Sequence, residues 1–518
     1  MLKSSNMEWK TVHYDAIVIG SGAAGGMAAK CLTDGGANVL VLEAGPALPT
    51  EVCRGQERLP REFAAMKERQ PVQSRSLLYN RRNCHLFVDD VDNPYSIGDG
   101  SEFNWIRSRH AGGRTLIWSR YALRMSDEDF ASTSHDGIGA PWPITYQTLA
   151  PYYGKVEAMI GVSGTTEGLP SLPDGCFTQC DVPSYVHDLR RQVVQRFPKR
   201  HLVPAREVRE DTQLDRPPSH ASLGSTLSTC DRQKLTFRTN CVVARVELNR
   251  PNHARGVVFV DRETGEWYAV SGRVVVLCAS TIETTRILLA SASREHPAGL
   301  ANSSGVLGHY LMDHFGGSRL VAIGRLKDAE SGSRTRVYMP CFCRSEQPNE
   351  DFVRGYGMQG EFEVTDGGAA SFSLGVFGEV LPYFENRVEL DESVRDACGL
   401  PVPRIHFRYR QNEHRMALHA QTTAREIVHA MGFRPLVVDD ELFAPGTRSH
   451  ELGSARMGTS AKDSVLNSFN QCWDVDNVFV TDGACFPSAG YKGPTLTIMA
   501  LTARTCDYIL SQFRGGAL

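Results

Sequence analysis

The chain has 518 residues, 41% of them hydrophobic, with 56 Lys plus Arg against 59 Asp plus Glu and a formal charge of -3. That is enough apolar material for a large core and more than one domain usually holds, so two domains with interleaved segments are expected. The near balance of charge excludes the electrostatic footprint of a nucleic-acid binder or of an acidic-membrane binder and leaves small molecules as partners.

The first ten residues, Met1 to Lys10, are polar. Tyr14 to Ile19 (YDAIVI) reads as a short buried strand and not as the apolar core of a signal peptide, because it runs straight into a glycine turn. That turn is Gly20-Ser21-Gly22-Ala23-Ala24-Gly25, and small residues continue through Ala29, as a helix pressed on a sheet requires. Asn38 to Leu42 is a second apolar strand, closed by Glu43. The unit is β-α-β within about thirty residues, the arrangement that binds dinucleotides. Gly20 permits the tight turn, Gly22 lets the backbone approach a pyrophosphate, and Gly25 lets helix and strand pack closely. Ala23 stands at the helix N-terminus, whose free N–H groups and positive dipole end favour phosphate. Glu43 is placed to accept hydrogen bonds from ribose hydroxyls. The motif does not by itself separate FAD from NAD.

Residues 50 to 85 read as charged and irregular. Trp105 to Arg124 holds a paired glycine turn, Gly112-Gly113, between basic and aromatic residues. Pro141 to Tyr153 leads to a short helix through Val162, and residues 163 to 230 look loop-rich. Phe237 to Leu248 alternates like a strand, and Arg255 to Val260 with Trp267 to Val270 continue a small sheet. Gly272 to Leu277 reads as a separate buried strand and Ser280 to Ser291 as the helix after it. Alternating runs between 316 and 410 predict an antiparallel sheet. His414 to Met431 reads as a helix, Val478 to Val480 as a buried strand and Thr495 to Phe513 as a long amphipathic helix.

The C-terminal third carries the candidate chemistry. His450 heads a loop-like run, HELGSARMG, and is the candidate base for a hydroxyl proton. Asp482 and Gly483 end a strand, where a turn can hold a ribityl or pyrophosphate region. Pro494 and Thr495 open the last helix, with Pro where no N–H is wasted. A helix N-terminus fixed there can stabilise the negative charge a flavin acquires as it accepts hydride.

The fourteen cysteines form no paired C-x-x-C site. Cys341 and Cys343 are a C-x-C and Cys176 and Cys180 stand four apart, neither beside a histidine pair. Cys31, Cys278 and Cys506 lie in apolar runs and read as reduced core thiols, so no metal is expected. No apolar run approaches the roughly 18 residues of a membrane span, and a cytoplasmic location is the expectation.

Taken together, GSGAAGG (20–26), LEAGP (42–46), AGGRTLIW (111–118), WPITYQTLAPYY (142–153), VVVLCASTIETTRILL (274–289), HELGSARMG (450–458) and NVFVTDGACFPSAGYKGPTLTIMALTAR (477–504) resemble the glucose–methanol–choline (GMC) family of FAD oxidoreductases. The resemblance runs from Asp15 to Leu510. GVSGTTEGLPSLPDG (161–175) and GLANSSGVLGHYLMDH (299–314) look like the bacterial branch that includes sugar and glucoside 3-dehydrogenases.

The resemblance implies an α/β protein, α+β overall. A Rossmann-like FAD-binding domain would be built from residues 10–50, 86–125, 236–315 and 445–518. A substrate domain with an antiparallel sheet would be built from 51–85, 126–235 and 316–444. It implies that Gly112, Gly113 and Thr115 line the isoalloxazine, that Val243 meets the adenine through its backbone, that Ala279 lies near the adenosine, that Ala44 also binds the cofactor, and that His450 is the base. The expected reaction is oxidation of an alcohol group of a sugar or glycoside, with oxygen or a redox carrier taking the electrons.

The chain departs from the family pattern in three places. Gly493 stands where the family usually has Asn or His, so Tyr491, Lys492, a water, or nothing fills that role. Leu116-Ile117-Trp118 lacks the histidine of members with covalent FAD, which implies non-covalent binding. The stretch from Ser219 to Cys230 keeps one cysteine where the branch often has a cluster, which argues against iron or zinc there. Because of Gly493, two other readings stay open: a sugar-tailoring flavoenzyme of altered chemistry, and an inactive FAD-binding protein. Candidate wall residues are Arg114, Trp118, Arg124, Glu379 and Tyr491, each with packing as the competing role.

Overall fold

The computed structural model describes residues 13–49, 52, 57–208, 226–343 and 351–518. Two seven-stranded sheets organise it. The first begins with Tyr14–Ile19, pairs it in parallel with Val39–Leu42 on one side, and continues to Leu235–Arg238. On its other side Tyr14–Ile19 pairs with the strand Trp267–Leu277. This strand is one element, not the two read from the sequence. Its first half alternates exposed and buried and pairs antiparallel with His253–Asp261. Its second half is continuously buried and pairs in parallel with Tyr14–Ile19 and Val478–Val480. The change of pattern reflects one covered face giving way to two. Gly272 makes the crossing possible, since a Cβ there would come within 2.9 Å of Ile17.

The run read as one strand from Phe237 is two. Asn240, at φ 61°, turns the chain between Leu235–Arg238 and Cys241–Arg250, a left-handed conformation that asparagine tolerates. The helix after Pro141 spans Tyr146–Ile160 and stops at Gly161, at φ 70°, before a short strand, Val162–Gly164.

The second sheet is antiparallel, in the order Arg434–Leu442, Gly317–Arg325, Ala369–Glu379, Gly355–Val364, Arg334–Cys343, Val203–Pro204, with His314–Phe315 added against Ala369–Glu379. Helix Gln411–Ala430 covers it through Met416, Ala417, Ala420, Ala424, Ile427 and Val428, an i, i+4 apolar stripe. Three α-helices escaped the sequence reading, among them Asp127–Asp136, a short helix opened by Ser126. Pro60–Arg69 buries no residue and so shows no apolar face. Ser184–Arg196, inside the stretch read as loop-rich, packs Tyr185, Val186, Leu189 and Val193 inward. The segment Ser219 to Ser225 and the polar N-terminus, Met1 to Lys10, lie outside the described residues.

Each sheet has its own apolar core. The first takes in helix Ala23–Asp34 and the last helix, Thr495–Gly515, which pack on each other. No described helix is long and apolar enough to cross a membrane.

Candidate active site

A cavity of about 530 Å³ lies where the strand ends of the first sheet face the second, a size usual for a small-molecule or cofactor site. Its walls hold the glycine turn, the end of Val39–Leu42, the 105–121 segment, the face of the second sheet at 359–361 and 373–377, and the 447–451 loop.

The glycine turn is shaped by close backbone approach. Gly20 sits at φ 95°, and a Cβ there would come within 2.5 Å of the Cys278 carbonyl. A Cβ on Gly22 would meet nothing closer than 3.9 Å, so its surface is open to the cavity. Gly22 caps helix Ala23–Asp34 without a side-chain acceptor. The first amides of that helix, which have no intrahelical partner, are therefore free to meet an anion. Gly25 does not line the cavity; it packs beneath the Gly20 carbonyl.

Glu43 lines the cavity and is buried. It accepts from the Ser21 amide (3.0 Å) and hydroxyl (2.6 Å) through Oε2, and from the Gly45 amide (2.8 Å) through Oε1. Burial holds its pKa above the ordinary carboxylate value. Ser21 Oγ also accepts from the Gly112 amide at 3.0 Å, tying the glycine turn to the 110–118 loop. In that loop Gly112 and Gly113 both adopt positive φ (97° and 54°), and Thr115 donates to the Gly112 carbonyl at 2.6 Å. Gly113 and Thr115 line the cavity; Gly112 stands behind them.

Ala23, Ala44, Val243, Ala279, Asp482, Gly483, Pro494 and Thr495 are also in the wall. The Val243 carbonyl is held by Arg286. Asp482 is buried, accepts from the Thr284 hydroxyl and the Ala484 amide, and burial pushes its pKa up to about 6.

His450 lines the cavity beside Gly493. A Cβ on Gly493 would lie 3.8 Å from His450 Cε1 and 3.9 Å from Nε2. His450 Nδ1 lies 2.8 Å from Nδ1 of His314. Burial, the neighbouring His314 ring and the charges of Arg114 and Arg448 lower the His450 pKa well below its ordinary value, so the imidazole is neutral. The loop that carries it is fixed by Asp313, which accepts from the His314, Gly446 and His450 amides at 2.8, 2.9 and 3.0 Å. Arg114 clamps the same loop, bonding the Ser449 carbonyl (2.7 Å), Glu451 Oε2 (2.5 Å) and the Ser280 hydroxyl (2.9 Å).

Of the wall candidates, Arg114 and Trp118 line the cavity. Arg124 is instead paired with Glu157 (2.6 Å) and Glu379 with Arg354 (3.2 Å), both away from the lining. Tyr491 is buried with Lys492 4.2 Å from its ring centroid. Lys492 is committed to Asp129, so it does not take the place of the side chain missing at Gly493. The sequence reading missed His314, Asp313 and Arg448. A histidine 136 residues away in the chain gives no spacing signal, and the Asp-His pair at the end of GLANSSGVLGHYLMDH was its one trace.

Cys31, Cys176, Cys180, Cys230, Cys278 and Cys506 are free thiols, while the side chains of Cys341 and Cys343 lie outside the described ones. Among the described residues no group of three or more His, Cys, Asp or Glu side chains is arranged for a metal.

The residues present suit an adenine dinucleotide carrying a flavin. An open glycine stands at an uncapped helix start, a buried carboxylate at a strand end, and a second helix N-terminus at Pro494 close to the His450 ring. Comparison with known proteins points the same way. The chain is similar to 2-methyl-1,2-propanediol dehydrogenase of Mycolicibacterium austroafricanum, 29% identical over 96% of this chain and 95% of that protein. It is similar to the fructose dehydrogenase large subunit of Gluconobacter japonicus, 25% identical over 98% and 100%. It is also similar to C-glycoside 3-oxidase of Arthrobacter globiformis, 28% identical over 68% and 72%. Its fold matches the crystal structure of pyridoxine 4-oxidase from Mesorbium loti, with a TM-score of 0.64 at 17% identity over 96% of this chain and 99% of that one. The N-terminal GMC oxidoreductase profile matches residues 14–316 and the C-terminal one residues 382–502. The chain therefore belongs to the GMC oxidoreductase family, FAD-dependent enzymes that act on CH–OH groups.

Proposed function

We propose that the protein oxidises an alcohol group of a sugar or glycoside to a carbonyl, with non-covalently bound FAD as electron acceptor and His450 as base. The observation that carries this reading is the placement of the His450 imidazole: it is half-buried, lines the cavity that the glycine turn opens into, and is held neutral by its surroundings. Relatives named for sugar substrates support the substrate class: fructose dehydrogenase, C-glycoside 3-oxidase and paromamine 6'-oxidase.

In this reading the glycine turn and the start of helix Ala23–Asp34 hold the pyrophosphate, and Glu43 holds the ribose. Gly113 and Thr115, with Gly112 behind them, bound the ring system. FAD, when bound, accepts the hydride that leaves the carbinol carbon. The hydroxyl proton passes to His450 Nε2 as the C–O bond becomes a carbonyl, so substrate loses two electrons and two hydrogens. Arg114 keeps the His450 loop in register with the first sheet. The N-terminus of Thr495–Gly515 places a positive dipole end where charge accumulates. The division into a cofactor part (10–50, 86–125, 236–315, 445–518) and a substrate part (51–85, 126–235, 316–444) belongs to the same proposal, as does oxygen or a redox carrier as final acceptor.

Gly493 favours a second reading, a sugar-tailoring flavoenzyme of altered chemistry. The test is anaerobic mixing of the FAD-loaded protein with monosaccharides, glycosides and amino sugars, followed by reoxidation with air or a dye. Bleaching of the oxidised flavin band with formation of a carbonyl product is the expected result. A reduced flavin with a different product favours the second reading. Retained FAD that no alcohol bleaches would leave only a binding protein. A His450→Ala protein that reduces its flavin at the wild-type rate sinks the assigned base.

A further inference from the structure

Five arginines line the cavity, and four of them have an acid. Arg107 faces Asp90 (3.6 Å), Arg109 faces Glu283 (3.5 Å), Arg114 faces Glu451, and Arg336 is bracketed by Glu207 (3.0 Å) and Glu361 (2.9 Å). Arg448, two residues before His450, has none among the described residues. Its guanidinium lies 4.2 Å from the Phe377 ring centroid and 5.1 Å from that of Phe443. Its one hydrogen bond there runs from Nη2 to the Val376 carbonyl at 2.8 Å, and Nε is buried without an acceptor.

The backbone is cut away around this cation. A Cβ on Gly316 would collide with Arg448 Nε, and one on Gly375 would sit 3.7 Å from Nη1 and Nη2. Asp313 and Tyr409 act on Arg448 through space, but the Asp313 oxygens are taken by three backbone amides. Burial lowers the Arg448 pKa to about 10, so the group is charged at neutral pH. The Nη1 donors, on the Gly375 side, have no acceptor among the described residues, while Nε packs on Gly316 and Nη2 is held by Val376. A half-buried guanidinium held by two aromatic rings with one such end left over matches a carboxylate.

We propose that Arg448 receives a carboxylate of the substrate, which makes the natural substrate a sugar acid or an acid-bearing glycoside whose reacting carbinol lies against His450. The proposal rests on the reading of this cavity as the alcohol-oxidation site and narrows its substrate class.

The test uses the FAD-loaded full-length protein and two pairs of compounds that differ in one charge: D-gluconate against D-glucitol, and D-glucuronate against D-glucose. Anaerobic stopped-flow reduction is expected to favour the acid of a pair by about tenfold to a hundredfold, the worth of a charge-assisted contact. Arg448→Gln is expected to bring that ratio close to one, and Arg448→Lys to retain part of it. A merely structural arginine would lower both members together and leave the ratio unmoved, which overturns the proposal.

Should Arg448→Gln lose FAD, titration of the wild-type oxidised enzyme decides. D-gluconate is expected to perturb the flavin spectrum with an affinity that falls as salt is added, and D-glucitol to do so far less. Equal perturbation by both, or none by gluconate, overturns the proposal. The two readings fail separately. Bleaching without charge preference removes the carboxylate site and leaves alcohol oxidation standing. Salt-sensitive gluconate binding with no bleaching by any alcohol supports the site and removes the oxidation.

Discussion

Nδ1 of His314 lies 2.8 Å from Nδ1 of His450, with the two rings nearly perpendicular at 86°. One proton sits between these nitrogens. For His450 to act as base its Nε2 must carry a lone pair, so His450 must donate from Nδ1 and His314 must accept. The His314 proton then resides on Nε2, which makes no full hydrogen bond, although the Ala489 and Gly490 carbonyls favour a proton on that ring. His314 is a positioning residue in this arrangement. His314→Ala is expected to slow flavin reduction by about ten- to a hundredfold, part of the range ascribed to general bases. It is also expected to move the acid limb of the pH–rate profile upward, because water enters and His450 regains solvation. An unchanged limb would mean His314 only packs.

The pH dependence of the wild-type rate follows from the depressed His450 pKa. The base is unprotonated above its ordinary value of about 6.5 and stays so for some distance below it. The reduction rate is therefore expected to be flat from alkaline pH down past 6.5 and to fall only in more acid solution. A limb at or above 6.5, measured by stopped-flow reduction, contradicts the buried environment described.

Stability should respond to His314 as well. Burial lowers its folded pKa to about 4, against about 6.5 unfolded. The unfolded chain therefore takes up the proton first, and stability present above 6.5 is lost as pH falls toward 4, by about 3 kcal/mol from this group. Asp313, raised by burial to about 7, acts in the opposite sense and loses stability as pH rises from about 4 to 7. Melting temperatures of wild type and His314→Asn across this range are expected to converge on acidification.

Glu43 joins the glycine turn to the strand end through Ser21 and Gly45. Glu43→Gln keeps the shape but removes the charge that holds those donors. FAD affinity is expected to fall about ten- to a hundredfold, read as released flavin fluorescence on dilution. A change below twofold would mean the ribose is held elsewhere.

Gly493 has room for a side chain, with no atom within 3.8 Å of its Cβ position. Gly493→Ala is expected to change stability by less than about 1 kcal/mol. Gly493→Asn, which fills space beside His450 Nε2, is expected to raise KM for the sugar more than it lowers kcat. A higher kcat with unchanged KM would show that the missing partner, and not the open space, limits this enzyme.

Lys492 and Asp129 form a buried pair with 0% and 5% side-chain exposure. Lys492→Met leaves a carboxylate without its cation and is expected to cost about 3 kcal/mol or more. Combining it with Asp129→Leu is expected to recover most of that loss. A lone Lys492→Met protein with wild-type melting would place the lysine's role in the reaction instead.

The amino-acid sequence by itself determined the dinucleotide turn, its strands and helix, and the last helix with its proline start, because each is a local pattern written within a few turns of chain. It also singled out His450 and Glu43, whose chemistry is legible beside a glycine turn or a strand end. Tertiary structure decided what surrounds them. His314 meets His450 across 136 residues, Arg448 is left without an acid while its four neighbours in the wall have one, and Lys492 is spent on Asp129 instead of on substrate. These relations depend on which strand ends the two sheets bring together, and burial then fixes which of the assembled groups carry charge.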